Sequence, residues 1–361
     1  MCHKLTALAY SLLEVLVLKK ILIVILAFSC FIPVVKAEGD SLNLSSESAI
    51  LMDAESGKIL YEKNIDEQLP MASMTKIMSM LLIMENIEQG NLAYEDKVLI
   101  SENASGMGGS QVFLQAQEEY TVNDLLKCIA IASANDAVVA MAEKISGSVD
   151  AFVELMNKRA KELGLKNTHF ANPHGLDNEN HYSTAYDMAL MAKELLKHED
   201  ILKYTSIYED YLTKPDGSQV WLVNTNRLVR FYDGVDGLKT GYTTDAGYCL
   251  TATAKKNDLR LISVVMKSLS AEERSSDTST LLSYGFNSFK NNVIYSKDKV
   301  LGKVPVEKGK IEEVDIYLKE EATEILNITE KPGDYTFNIK VDKITSPVKA
   351  GTIVGTAERC V

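Results

Sequence analysis

Cysteine is scarce in this chain, and what there is suits neither a metal site nor a disulfide framework. There are five cysteines in 361 residues, with no C-x-x-C and no Cys/His cluster, which excludes a structural zinc site. Cys2 and Cys30 fall in an N-terminal leader, Cys360 is next to last, and Cys128 and Cys249 sit in apolar runs as small core residues. Stability therefore has to come from a hydrophobic core. A basic surplus is also missing. Lys and Arg total 38 against 50 Asp and Glu, a net charge of -12, which argues against a nucleic-acid surface. The glycine-rich stretch Ser105 to Ser110 lacks the G-K-[ST] of a phosphate loop and reads as a turn. His174 and His181 are not at metal-ligand spacing and read as loop braces, and no metal or cofactor is implied by the chemistry the sequence suggests below. The apolar run Ile21 to Val35 is short for a membrane span. With Lys19-Lys20 before it and Val35-Lys36-Ala37 after it, it has the pattern of a cleaved export signal over residues 1–37, an uncleaved anchor being the alternative.

What is present is the composition of a globular protein, 46% hydrophobic and 24% charged. Ala49 to Asp53 and Ile59 to Tyr61, separated by Glu55-Ser56-Gly57, predict a hairpin. Pro70 precedes a helix whose apolar set is Ile77, Met80, Leu81 and Met84. Thr121 to Asp124 starts a helix that ends near Ser133, and a second runs from Ala137 to Ile145. Further helices are expected over Phe152 to Leu163 and Thr184 to Leu196. Three antiparallel strands follow: one carrying Lys239-Thr240-Gly241, then Tyr248 to Ala254 and Leu259 to Met266. A helix from Ala271 to Phe286 packs back on them. The fold class is α+β, an antiparallel sheet sandwiched by helices, over residues 38–290. From residue 291 to 361 the pattern alternates as strands do, over Lys299 to Val306, Glu313 to Leu318 and Tyr335 to Val341. This predicts a smaller all-β domain, with a last strand or two allowed to be missing.

Three short motifs stand in order along the chain. Ser73-x-x-Lys76 puts a hydroxyl and an amine on one face of a helix start, where free N–H groups and the positive end of the dipole face outward. A serine there can act as nucleophile, the lysine can take its proton, and the Ser73 N–H can bind an oxyanion. The plainer reading of this motif alone is a capped helix with a solvated lysine. Ser133-x-Asn135 forms a polar corner between two helices, and taken alone it reads as an ordinary cap. Lys239-Thr240-Gly241 lies on a strand at the outer edge, where Gly241 lets a substrate backbone approach closely.

S-x-x-K, S-x-N and K-T-G in this order resemble the penicillin-binding proteins and class A β-lactamases. More narrowly, the sequence resembles the low-molecular-mass penicillin-binding proteins of the serine D-alanyl-D-alanine carboxypeptidase type. The resemblance runs from Ala49 to the C-terminus and includes Asn172-Pro-His-Gly-Leu-Asp177, His181-Tyr-Ser-Thr-Ala-Tyr-Asp187 and Asp245-Ala-Gly-Tyr-Cys249. It implies a β-lactamase/transpeptidase-like fold and, as substrate, the peptidoglycan stem peptide ending in D-Ala-D-Ala. It implies Ser73 as nucleophile, Lys76 as general base and Ser133 as proton relay. Asn135, Lys239, Thr240, Gly241 and Thr243 would hold substrate, with the Tyr242 backbone in the oxyanion hole and β-lactams as covalent inhibitors. For Lys76 to be a base its pKa must fall from about 10.4, through burial and a second cation, Lys239.

Two departures stand out. Tyr242 takes the place of the histidine that follows K-T-G in some relatives, and the amphipathic C-terminal anchor common in the family is not seen, which leaves membrane association open. Three rivals share the motifs: a β-lactamase, a transpeptidase or endopeptidase on the same scaffold, and a non-catalytic penicillin-binding wall protein. Against the first stands the lack of a deacylating glutamate: Glu162 to Asn167 is one residue too long for that loop and reads as a helix end.

Overall fold

The computed structural model describes residues 42–333 and 335–360. The export-signal reading over residues 1–37 lies outside them. Strands β1 (Ser48–Asp53) and β2 (Ile59–Lys63) form the N-terminal hairpin around Gly57, and β3 (Val235–Thr243), β4 (Gly247–Lys256) and β5 (Leu259–Ser268) return after a long helical insertion. Together they make one antiparallel sheet in the order β2-β1-β5-β4-β3. The strand carrying Lys239-Thr240-Gly241 is therefore an edge strand.

Side chains on successive strand residues point to opposite faces, and here both faces are apolar. Ile50, Met52, Ile262, Val264 and Met266 join a core on one side, while Ala49, Leu51, Leu261 and Val265 join a second core on the other. The inserted helices cover the first face: α1 (Lys76–Glu88), α2 (Val122–Ala132), α3 (Asn135–Ser146), α4 (Val149–Glu162) and α5 (Ala185–Leu195). Helix α6 (Ala271–Ser288) covers the second, and Leu281 and Leu282 lie in that core.

Helix α1 departs from the amphipathic expectation. Every residue from Lys76 to Met84 is buried, because Met78, Leu82 and Ile83 fill the faces that a one-stripe helix would leave to water. It is the axis of the helical layer and packs against α2, α3, α4 and α5. Helix α2 begins as the sequence suggests, with a capping box in which Thr121 and Asp124 exchange hydrogen bonds. Between Ala185 and Val235 the chain also forms a hairpin, Glu209–Thr213 with Gln219–Val223, which the sequence pattern did not announce.

After α6 all the described elements are strands: β6 (Phe289–Tyr295), β7 (Gly302–Glu307), β8 (Glu313–Ile316), β9 (Ala322–Asn327), β10 (Thr336–Val341), β11 (Ile344–Thr345) and β12 (Gly355–Cys360). β6, β9, β11 and β12 add to the strands expected from alternation. The module seats on the sheet through Lys58 Nζ, which donates to Ile325 O at 3.2 Å, and Thr323 Oγ1, which donates to Glu55 Oε1 at 2.8 Å. Ile325 and Phe289 extend the second core.

Helix α6 comes close to the sheet at Gly285, where an added Cβ would lie 2.5 Å from Leu261 Cδ1 and 2.8 Å from Leu51 Cδ2. Gly285→Val is expected to cost about 1–3 kcal/mol through overpacking, read as a lowered melting temperature relative to a Gly302→Ala control, where a Cβ meets only ordinary contacts at 3.9 Å.

Candidate active site

The site is assembled where α1, the α2–α3 corner, the 172–176 loop and edge strand β3 meet. A single 3-10 turn, Ala72–Thr75, runs directly into α1 and places Ser73 three residues before Lys76. Ala72 takes φ +47, a region seldom entered by a residue with a Cβ. The turn is held by Thr75 Oγ1, which donates to Ala72 O at 2.7 Å and lies 2.7 Å from His181 Nε2. His181 Nδ1 accepts the Ala171 N–H at 3.0 Å. One neutral tautomer, with its proton on Nε2, satisfies both contacts. Gly175 closes on the same turn: its φ is +94, and a Cβ there would lie 1.9 Å from Ala72 O, so only glycine fits.

Lys76 is wholly buried. Its Nζ lies 3.0 Å from Ser73 Oγ, 2.7 Å from Asn135 Oδ1 and 2.7 Å from His174 O. The last contact depends on the loop 172–176. Asn172 Oδ1 accepts the Gly175 N–H at 2.6 Å, and Ser79 Oγ donates to Pro173 O at 2.7 Å, which fixes the His174 carbonyl against the lysine. Burial pushes the Lys76 ammonium well below its ordinary pKa, the charge of Lys239 pushes the same way, and Asp136 opposes both.

Ser133 caps α2 in the left-handed region, φ +62. Its Oγ is buried and, among the described residues, without a hydrogen-bond partner. Asn135 opens α3. Its Oδ1 faces Lys76, its Nδ2 donates to Gly108 O at 2.7 Å, and its backbone N–H donates to Ser110 O at 2.7 Å. The glycine-rich turn thus forms a wall of the site, with Gly109 so close that a Cβ would meet Asn135 Nδ2 at 2.8 Å. Behind it the buried Asp136 accepts the N–H groups of Val112 at 3.0 Å and Leu114 at 3.1 Å. Burial pushes its carboxyl pKa up, against these N–H groups, which favour the anion.

On β3, Lys239 and Gly241 share a face. A Cβ on Gly241 would lie 2.7 Å from Met71 O and 3.1 Å from Ala72 Cβ, so this face of the strand lies against the Ser73 turn. Lys239 is buried and donates to Thr240 O at 3.0 Å; burial, and then the Arg274 guanidinium, bring its pKa down to about 7. Thr240 Oγ1 donates to Thr225 Oγ1 at 2.6 Å. The Tyr242 side chain is exposed and stacks on Tyr248 with ring centroids 4.3 Å apart. Thr243 stands apart from this group, its hydroxyl accepting the Ala246 N–H at 3.1 Å in the hairpin turn.

Lys76 is thus in direct contact with both Ser73 and Asn135, with Ser133 in the adjoining corner and the Lys239 strand packed on the Ser73 turn. Sequence reasoning missed four contributors: the His174 carbonyl, the Gly108 to Ser110 wall, Thr225 and Arg274. The density of turn residues in Asn172-Pro-His-Gly was a signal for the first. Arg274, on the first turn of α6, carried none. Glu162 sits at the end of α4, 3.4 Å from Arg159, as a helix-end residue does.

An antiparallel sheet between helical layers, with a serine and a buried lysine at the head of the central helix and K-T-G on the edge strand, defines the penicillin-binding and β-lactamase class of serine proteins. Within it, residues 34–270 match the family model described as D-alanyl-D-alanine carboxypeptidase, and residues 289–360 match the penicillin-binding protein 5 C-terminal domain. The chain belongs to the D-alanyl-D-alanine carboxypeptidase family of serine peptidases. It is 51% identical over 312 residues to the D-alanyl-D-alanine carboxypeptidase DacF of Bacillus subtilis, covering 86% of this chain and 80% of that one. Among solved structures it is similar to penicillin binding protein 5 from Haemophilus influenzae, at 32% identity and a TM-score of 0.72, covering 88% of this chain and 93% of that one. Penicillin-Binding Protein D2 from Listeria monocytogenes, in its ampicillin-bound form, is similar at 33% identity and a TM-score of 0.61, covering 68% of this chain and 99% of that one.

The two buried histidines make the fold acid-sensitive. Burial lowers His181 to about 4 and His174 to about 3, against about 6.5 in the unfolded chain. Above pH 6.5 neither affects stability. Below it the unfolded chain takes up protons that the native state refuses, so stability falls as pH drops towards about 4. Melting temperature measured from pH 7.5 to 4 should fall, and His181→Gln should flatten the slope.

Proposed function

We propose that the protein is a serine-type D-alanyl-D-alanine carboxypeptidase that removes the terminal D-Ala from peptidoglycan stem pentapeptides through an acyl-enzyme on Ser73. One observation carries this reading, the hydrogen-bond set of Lys76. Asn135 Oδ1 and His174 O each accept an N–H of the amine. With the lysine neutral, both of its hydrogens are used and its lone pair is left for the Ser73 hydroxyl 3.0 Å away. That is the geometry of a general base, and burial supplies the protonation state.

Ser73 Oγ attacks the carbonyl of the penultimate D-Ala while Lys76 takes its proton. The N–H groups of Ser73 and Tyr242 hold the oxyanion, each such donor being worth about 10²–10³ in rate. Ser133, whose buried hydroxyl has no partner among the described residues, relays the proton to the leaving amine of the last D-Ala. Water then hydrolyses the ester. Lys239 and Thr240 receive the terminal carboxylate, with Arg274 adding positive potential behind Lys239. Gly241 keeps β3 close to the turn, and Asn135 offers the second N–H of its amide to the substrate. β-Lactams mimic the D-Ala-D-Ala end and acylate Ser73, a reading the ampicillin-bound Listeria neighbour supports.

The substrate, together with the Lys19 to Ala37 leader pattern, supports action outside the cytoplasm. No helix among the described residues is long and apolar enough to cross a membrane. We place the catalytic domain over residues 38–290 and the β-module over residues 291–361.

Mass spectrometry after incubation with a D-Ala-D-Ala pentapeptide, and separately with penicillin, tests the reading. Wild type should release D-Ala and carry a penicilloyl adduct. Ser73→Ala should lose the adduct and at least about 10³ in rate. Accumulated cross-linked product would favour transpeptidation, and rapid turnover of penicillin a β-lactamase.

The pH profile separates the two lysines. kcat/KM should rise with pH as Lys76 loses its proton, and fall as Lys239 loses the charge that holds the carboxylate. Lys239→Arg keeps its charge to higher pH and should move the falling limb upward without shifting the rising one.

A further inference from the structure

Phe113 is the most strained aromatic residue near the site. It has φ +58, a conformation rare for a bulky side chain. The strain is imposed by its neighbours, since Asp136 holds the N–H groups on both sides of it, at Val112 and Leu114. Val112 and Leu114 are thereby buried, and the Phe113 ring is left 60% exposed.

A second aromatic pair is joined to this loop. In the hairpin Glu209–Thr213 and Gln219–Val223, Tyr211 is paired directly with Trp221. Residues directly opposite in an antiparallel pair share a face about 5 Å apart. Both rings are open to water, Tyr211 at 50% and Trp221 at 59% exposure, while Leu212 and Leu222 on the opposite face are buried. Lys214 at the hairpin tip donates to Phe113 O at 2.6 Å, and Thr225 just beyond its base meets Thr240 at 2.6 Å. The hairpin therefore runs from the K-T-G strand to the loop that walls Asn135. On its own face the Tyr211–Trp221 pair is flanked towards the tip by Thr213 and Gln219, exposed, uncharged and able to hydrogen-bond, and towards the base by the exposed Glu209 and the half-buried Val223.

We propose that the Tyr211–Trp221 face, on the hairpin whose tip is tied to the Phe113 loop, binds the glycan strand of the polymer whose stem peptide enters the Ser73 site. The proposal rests on the carboxypeptidase reading above. Its ligand class follows from chemistry. A β-1,4-linked N-acetylamino sugar presents an apolar C–H face that stacks on flat rings and an edge of hydroxyl and amide groups that pairs with Thr and Gln. Paired exposed aromatics rimmed by polar groups, on a hairpin tied at both ends to elements of the substrate site, suit such a ligand. A peptide hung on a glycan brings its polymer to this rim whenever its end reaches Ser73.

The chain holds a single tryptophan, so its fluorescence reports this face directly. Peptide-free glycan strands of N-acetylamino sugars, titrated into the full chain, should shift and saturate Trp221 emission. Tyr211→Ser should weaken that titration about tenfold. On glycan-borne pentapeptide, Trp221→Ala should raise KM about tenfold with kcat unchanged, while on free pentapeptide both constants stay at wild-type values. Emission unmoved by glycan, or equal KM for Trp221→Ala and wild type on glycan-borne substrate, overturns the proposal. So does sedimentation showing that Trp221→Ala abolishes self-association while glycan has no effect, which would make the face a contact between copies. Failure of the carboxypeptidase reading is distinct: there, wild type releases no D-Ala from free pentapeptide.

Discussion

A primary amine sealed from water at the head of a buried helix sets the terms for the rest of the catalytic domain. An ammonium in such a place would be costly to desolvate, so Lys76 is pushed towards neutrality. Its neighbours are arranged to tolerate that. Two fixed carbonyl-type oxygens, one from the Asn135 side chain and one from the His174 backbone, take its hydrogens. Nothing in this arrangement needs a metal ion or a paired carboxylate at the lysine. It needs a helix buried on every side, and the all-round apolar sequence of α1 provides it.

The surroundings of that lysine are built by backbone held in unusual places. Ala72, Phe113 and Ser133 all have positive φ without being glycine. Each is fixed by an identifiable partner: the Thr75 hydroxyl at Ala72, the Asp136 carboxylate around Phe113, and the helix end at Ser133. Strain of this kind gathers at sites where a side chain must be aimed and not merely accommodated. The glycines do the converse: Gly109, Gly175 and Gly241 stand where a Cβ would collide with Asn135, Ala72 and Met71 respectively.

The main helices and the three strands of the sheet's C-terminal half could be read from periodicity, because each buries a full stripe or alternates along its length. The three short motifs were legible because they are local. What could not be read is what depends on distant pairs. The His174 carbonyl reaches Lys76 across 98 residues of sequence, and Asn135 reaches it across 59. A backbone carbonyl leaves no mark in the sequence that distinguishes it from its neighbours. Arg274 is hidden for a related reason, since a charged residue on the first turn of a long helix looks like a surface residue until the sheet beneath it is in place. Strands β6, β9, β11 and β12 escaped because strands of two to seven residues carry little alternation to detect.

The C-terminal module grips the sheet at its turns. Its contacts fall on Glu55 and Lys58 in the β1–β2 connection and on Asp258 between β4 and β5, where Asn291 Nδ2 donates to Asp258 O. Lys239 is paired with Thr251, five residues along β4 from Lys256 at that end, a span of ~17 Å at ~3.3 Å per residue. The module is also continuous with α6, which runs directly into β6, so what fixes it in place among the described residues lies on the α6 side and at these turns, away from the buried helix that shelters Lys76.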